Sequence, residues 1–182
     1  MMRWLGWITL TLAVAAVTHL ASVHYLPHIV MSRAMAQMGS VNAMHHGARA
    51  TAEKHGVVRP SPDLLYSVCP FDLSKGPMRV VAPPVAGTYW SLSLFDAETN
   101  NFFVVNDRQE KDGVDFFIYA KGAMPHLIKY QVSIEPGQPM PKARFLESPT
   151  VRGLAVMRTL VNDEKNFAAI DAARKRAKCA VL

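Results

Sequence analysis

The sequence predicts a mainly β protein: an antiparallel sandwich or jelly-roll-like domain with one C-terminal helix, preceded by an N-terminal transmembrane helix. Three observations carry this. Residues 4–32 contain no Lys, Arg, Asp or Glu, and residues 4–23 are dominated by Leu, Ile, Val, Ala and Trp. From residue 57 prolines (Pro60, Pro62, Pro70, Pro77, Pro83, Pro84) punctuate short apolar runs rich in β-branched and aromatic residues, which are strand and turn signals. Near the end, Phe167, Ile170 and Ala173 recur at helical spacing behind Asp163, a residue type that caps helix N-termini. The resulting division is an anchor over residues 1–30, a helical neck over 31–56 and a β-rich domain over 57–182.

About 20 apolar residues in a helix cross the hydrocarbon core of a bilayer. Trp4 and Trp7 suit one headgroup interface and Tyr25 the other. Arg3 and the amino terminus flank the near side and only Arg33 the far side, so charge bias places the N-terminus inside and the domain in the periplasm. The expected location is the bacterial inner membrane, single-pass. The rival is a cleaved signal peptide, for which Ala13-Val14-Ala15 has the small-x-small form. His24 and His28 share a helix face, a spacing that can bind a metal or haem iron, but Pro27 between them favours interfacial histidines without a ligand.

In the neck, Met31, Met35 and Met38 fall on one helix face, a packing stripe for the domain, a partner helix or the membrane surface; Gly39-Ser40 interrupts it. His45, His46 and His55 have no Cys, Asp or Glu at a familiar ligand spacing, so no metal and no cofactor are expected.

Strands are expected over residues 78–81, 88–96, 101–106, 114–120, 127–134 and 150–161. In the second, alternation places Trp90, Leu92 and Leu94 on one face and Ser91 and Ser93 on the other. Asp112-Gly113 offers a tight turn that makes 101–106 and 114–120 hairpin partners. Ile128, Tyr130, Val132 and Ile134 alternate with Lys129, Gln131 and Ser133. The closing helix is expected over residues 164–178.

The chain has 182 residues and a formal net charge of +6. Once the anchor is removed, one domain of ordinary size remains. The densest basic run, Arg174, Lys175, Arg176 and Lys178, reads as a solvated helix end near the negative pole of the helix dipole, with anionic lipid as the sharper alternative. No aromatic residues interleave with it, so no nucleic acid is expected. Cys69 and Cys179 have no zinc or CxxC spacing. They form one disulfide in a periplasmic domain, or stand as two separate thiols, one in the core and one near the terminus.

Three ordered blocks carry a resemblance: Pro62-Asp63-Leu64-Leu65-Tyr66-Ser67, Phe71-Asp72-Leu73-Ser74-Lys75-Gly76-Pro77, and Tyr89-Trp90-Ser91-Leu92-Ser93-Leu94-Phe95-Asp96-Ala97-Glu98-Thr99-Asn100. In this order they resemble the bacterial family catalogued as domain of unknown function 1254, over residues 57–161. Many members have an Asn-rich segment before the first block, where this chain has Arg59-Pro60-Ser61-Pro62. The chain looks like a short, membrane-anchored form. The resemblance implies a β-rich fold, no known activity, and a companion protein carrying the domain of unknown function 1214 that larger relatives contain.

No G-x-S-x-G, H-E-x-x-H or Gly-rich phosphate loop is present, so no catalytic residue is assigned and an enzyme is not the favoured class. Ser67 and Ser74 read as strand or turn hydroxyls. The candidate binding residues are Tyr66, Asp72, Asp96, Asn100 and Arg158. On strand alternation Arg158 shares a face with Leu154, Val156 and Leu160, and a buried guanidinium needs a carboxylate partner, for which Asp72 and Asp96 are the candidates. The function expected is an interaction module of unknown biochemical activity, with the lipid bilayer and an envelope protein as partners. The alternative is an envelope enzyme or small-molecule binder with a polar pocket near Asp96 and Arg158.

Overall fold

The computed structural model describes residues 2–51, 60–123 and 144–182. In chain order these form α1 (Met2–Gln37), β1 (His45–His46), β2 (Leu64–Asp72), a 3-10 turn (Leu73–Lys75), β3 (Met78–Ala82), β4 (Trp90–Asp96), β5 (Asn101–Asn106), β6 (Val114–Ala120), β7 (Arg144–Ser148), β8 (Arg152–Leu160), a second 3-10 turn (Glu164–Asn166), α2 (Phe167–Arg174) and β9 (Lys178–Val181).

Among the described residues the strands make two facing sheets, ordered β1-β2-β8-β4-β5 and β7-β6-β3-β9. The first sheet is antiparallel throughout. The second is mixed, because β6 and β7 run parallel. Period-2 alternation sends Leu65, Cys69 and Phe71 of β2, Trp90, Leu92 and Leu94 of β4, and Ala155 and Met157 of β8 inward. They meet Met78, Val80 and Ala82 of β3, Phe116 and Ile118 of β6, and Cys179 of β9. Of the two readings left open for the cysteines, the structure shows the bridge: Cys69 of β2 and Cys179 of β9 form a disulfide that joins the sheets. At Gly153 a Cβ would lie 2.3 Å from the Phe95 carbonyl oxygen and 2.4 Å from Phe71 Cζ, so only glycine fits where β8 crosses the sheet.

Several expectations are corrected. The segments 101–106 and 114–120 are strands, but not a hairpin: β5 pairs with β4 in the first sheet, and β6 pairs with β3 and β7 in the second. The chain turns at Asn106, whose Oδ1 accepts from Arg108 N and Gln109 N, and the seven residues 107–113 then cross between sheets. Gly113 (φ +87°) passes so close to the Ala82 carbonyl that a Cβ would lie 2.5 Å from it. β2 escapes a sequence reading because Pro70 interrupts its ladder of donors. The structure tolerates Pro70 because β1 reaches only Val68, and beyond it Asn42 N donates to the Pro70 carbonyl. The closing helix ends at Arg174, and the segment from Lys178 joins β3 as the edge strand β9. Asp163 caps the 3-10 turn before the helix, accepting from Lys165 N, while α2 itself starts behind Asn166, which makes no side-chain capping bond; Ile170 is buried with Phe167 and Ala173 beside it. The strand expected over 127–134 lies outside the described residues.

Helix α1 runs unbroken through Pro27 to Gln37. It is long and apolar enough to span a membrane, and residues 4–26 are exposed on every side. Where a helical neck is expected over 31–56, the helix stops before Gly39 (φ +105°), and His45–His46 add β1 to the sheet. The methionine stripe packs on the domain: Met31 and Met35 are buried against Leu154 and Val156 of β8, with Met38, Tyr66, Val68 and Phe95 around them. One outer face of the first sheet is thereby roofed by the helix.

Candidate functional site

The five candidate residues divide among three places. Asp96, at the end of β4, is buried and builds the β4–β5 turn. Its Oδ1 accepts from Glu98 N (2.9 Å) and Asn100 N (2.8 Å), and its Oδ2 from Asn100 Nδ2 (3.1 Å). Those bonds hold Thr99 at φ 70°, a left-handed conformation that a β-branched residue rarely adopts. Asp72 ends β2. Its Oδ1 accepts from Ser74 N (3.0 Å), and Arg152 Nε lies 3.4 Å from its other oxygen. The hydrogen bonds from Ser74, then the Arg152 charge, hold the Asp72 carboxyl below the usual carboxylate range.

Arg158 and Tyr66 are register partners, in a row across the first sheet that continues to Ser91 and Asn106. Arg158 is half-buried, and its Nη1 donates to Ser93 Oγ at 3.4 Å. The carboxylate partner expected for it is not Asp72 or Asp96. Those pair in register with Arg152 and Gly153, six and five residues back along β8, or roughly 17–20 Å at strand rise. The alternation places Arg158 on the outer face with Leu154 and Val156. Helix α1 covers Leu154 and Val156 on that face, and Arg158, two residues further along, stays half-buried. The Tyr66 hydroxyl accepts from Ser61 N at 3.3 Å. Two surface pockets among the described residues, one beside Gly113 and Arg144 and one beside Gly87 and Ile170, include none of the five.

Sequence reasoning missed the most heavily bonded polar group. Arg174, read as part of a solvated helix end, is 2% exposed. Its Nε and Nη2 donate to Asp171 Oδ1 (2.8 and 2.6 Å), Nη1 to the Tyr66 carbonyl and Ser67 Oγ (both 3.0 Å), and Nη2 to the Gly47 carbonyl (2.6 Å). Ser67 Oγ lies 2.9 Å from His46 Nδ1, and Lys175 Nζ 2.6 Å from Asp171 Oδ2. Burial, then the Arg174 and Lys175 charges, push the His46 imidazole below its usual range. Burial pushes the Asp171 carboxyl up, but the bonds from Lys175 and Arg174 outweigh it and leave it lowered.

The chain His46–Ser67–Arg174–Asp171 has the residue types of a nucleophile with its base. Its geometry is that of a strut. Ser67 is 1% exposed, on the inner face of β2, and its oxygen already accepts from a guanidinium. The cluster ties α2 to β1 and β2 and closes the sandwich at the edge where the disulfide also sits. The only prior hint is the position of Arg174: four residues after Ile170, it faces inward with it.

A two-sheet β domain on a helical stalk is the class these elements define. The family model described as protein of unknown function (DUF1254) matches residues 41–181, and the chain belongs to that family. The match includes β1 and β9, beyond both ends of the three blocks that carry the resemblance. Among solved structures the chain is similar to the VPA0106 protein of Vibrio parahaemolyticus, with 14% identity and a TM-score of 0.54 over 67% of this chain and 28% of that one. It is also similar to an uncharacterised protein of Burkholderia cenocepacia, with 12% identity and a TM-score of 0.46 over 83% of this chain and 40% of that one. The chain thus spans less than half the length of either solved protein. No curated protein matches it.

Proposed function

We propose that the protein is a single-pass anchored interaction module of the bacterial inner membrane, its β domain held in the periplasm and assembled with a companion envelope protein. The observation that carries this is β5. It ends the first sheet with no further strand beside it among the described residues, and it displays Val104, 55% exposed, between half-buried Phe103 and buried Val105. An unpaired apolar edge is a template for another chain. The polar residues of the family blocks fit this reading, since Asp72, Asp96 and Asn100 hold turns. The disulfide and helix α1 support placement outside the cytoplasm. The companion is the protein carrying the domain of unknown function 1214.

The test is co-expression of the full chain with that companion, extraction in mild detergent and measurement of the mass of the eluted species. A stoichiometric complex, lost in Val104→Glu while the melting temperature holds, is the expected result. A monomer that elutes apart from the companion overturns the proposal.

A further inference from the structure

The way the domain hangs on α1 determines which of its ends meets a bilayer, and this inference rests on the reading of α1 as a membrane anchor. Residues 4–27 would span roughly 36 Å at helical rise, enough for a hydrocarbon core of about 30 Å. The helix first touches the domain at His28, whose Nε2 lies 3.6 Å from Glu98 Oε1 in the β4–β5 turn. One helical turn later Met31 and Met35 are buried on β8. The spanning and docked parts are one continuous helix, so the end of the sandwich that bears Glu98 sits at headgroup level.

That end is a connected platform. Leu73 N donates to the Val151 carbonyl (2.9 Å), Ala97 N to Thr150 Oγ (2.9 Å) and Lys121 N to the Ser148 carbonyl (3.1 Å). Its exposed residues include Lys75, Lys121, Arg152 and Val151, the last 45% exposed. Asp72 is engaged with Ser74 N and Arg152, and Glu98 with His28, while Glu147, beside Ser148 on β7, is an exposed carboxylate. Neither Lys75 nor Lys121 makes an ion pair among the described residues. At the opposite end Arg49 and Arg144 pair with Glu164 and Glu110. Juxtamembrane ammonium groups bind anionic headgroups, and an apolar residue between them enters the interface.

We propose that this end of the sandwich seats on the bilayer, Lys75 and Lys121 taking lipid headgroup phosphates and Val151 entering the interface between them. The test is lysine acetylation of the full chain, read by mass spectrometry, in detergent and in nanodiscs of phosphatidylglycerol and phosphatidylcholine. Lys75 and Lys121 should react about fivefold more slowly in the discs, whereas Lys111 and Lys165 at the far end keep their detergent rates. Val151→Asp should return both slow lysines toward the detergent rate. Equal rates at all four lysines, with the chain retained in the discs, overturn the seating and leave the anchor standing. A chain that elutes apart from the discs overturns the anchor reading and the seating with it.

Discussion

At the scale of single residues, Arg174 decides more than its place in a basic run suggests. Its guanidinium satisfies two carbonyls and a buried hydroxyl and pairs with Asp171. Truncation would strand all of them inside the edge of the sandwich. Arg174→Ala is therefore expected to cost about 3–5 kcal/mol, the range for breaking a buried, hydrogen-bonded ion pair. Arg174→Lys should recover only part of this, because an ammonium lacks the planar fork that reaches Gly47, Tyr66 and Asp171 together. Denaturant midpoints of the three proteins check the order; equal midpoints for wild type and Arg174→Ala would refute the strut. The contrast with Arg158 explains what was legible. Strand alternation puts Arg158 on its correct face, because strand period is a local property. It says nothing of partners, because Asp72 and Asp96 lie near the other end of the strand that holds Arg158.

Elements were most readable where their apolar pattern answers to one neighbouring layer. The strands now labelled β5 and β6 have the bounds expected from sequence, and β4 displays the expected two faces. β1, β7 and β9 were not readable. Their apolar alternation is too short or too broken by charged residues to stand out, and each pairs with a longer strand that offers it an edge. The methionine stripe is a different case. Its helical spacing is plain, yet three docking surfaces were open to it, and only the fold supplies the exposed tract on β8 that it covers. The stripe should therefore be the hinge between stalk and domain. Met31→Ala/Met35→Ala leaves a cavity over Leu154 and Val156, with an expected loss of about 2 kcal/mol or more per fully buried methionine. Limited proteolysis in detergent reads it out: cleavage around residues 37–41 should accelerate while the fragment from β2 to β9 survives. An unchanged cleavage rate would mean that the helix gains nothing from this contact.

For the whole molecule, the arrangement of the sheets is the part least visible in sequence. Consecutive strands β5 and β6 lie in different sheets, and β2, β8 and β4 become neighbours across long separations. Such order is set by which faces bury each other, and local turn signals such as Asp112-Gly113 then mislead. A long-range fold of this kind gains most from a link that restricts the unfolded chain. The Cys69–Cys179 bridge closes a separation of 110 residues between β2 and β9. In the chain-entropy account a loop of that length is worth about 4–5 kcal/mol. It also sits beside the α2 edge, where among the described residues β9 has β3 as its one neighbour in the sheet. The double variant Cys69→Ala/Cys179→Ala should thus lower the melting temperature by about 10 °C or more, with β9 the first strand to lose hydrogen-exchange protection. Reduction of the wild type should reproduce that loss without a mutation. Thiol titration of protein taken from its native membrane completes the test: no reactive thiol before unfolding or after it is expected of an oxidising compartment. Two titratable thiols would separate the fold from the periplasmic reading, because the sandwich would then stand without its staple on the reducing side of the membrane.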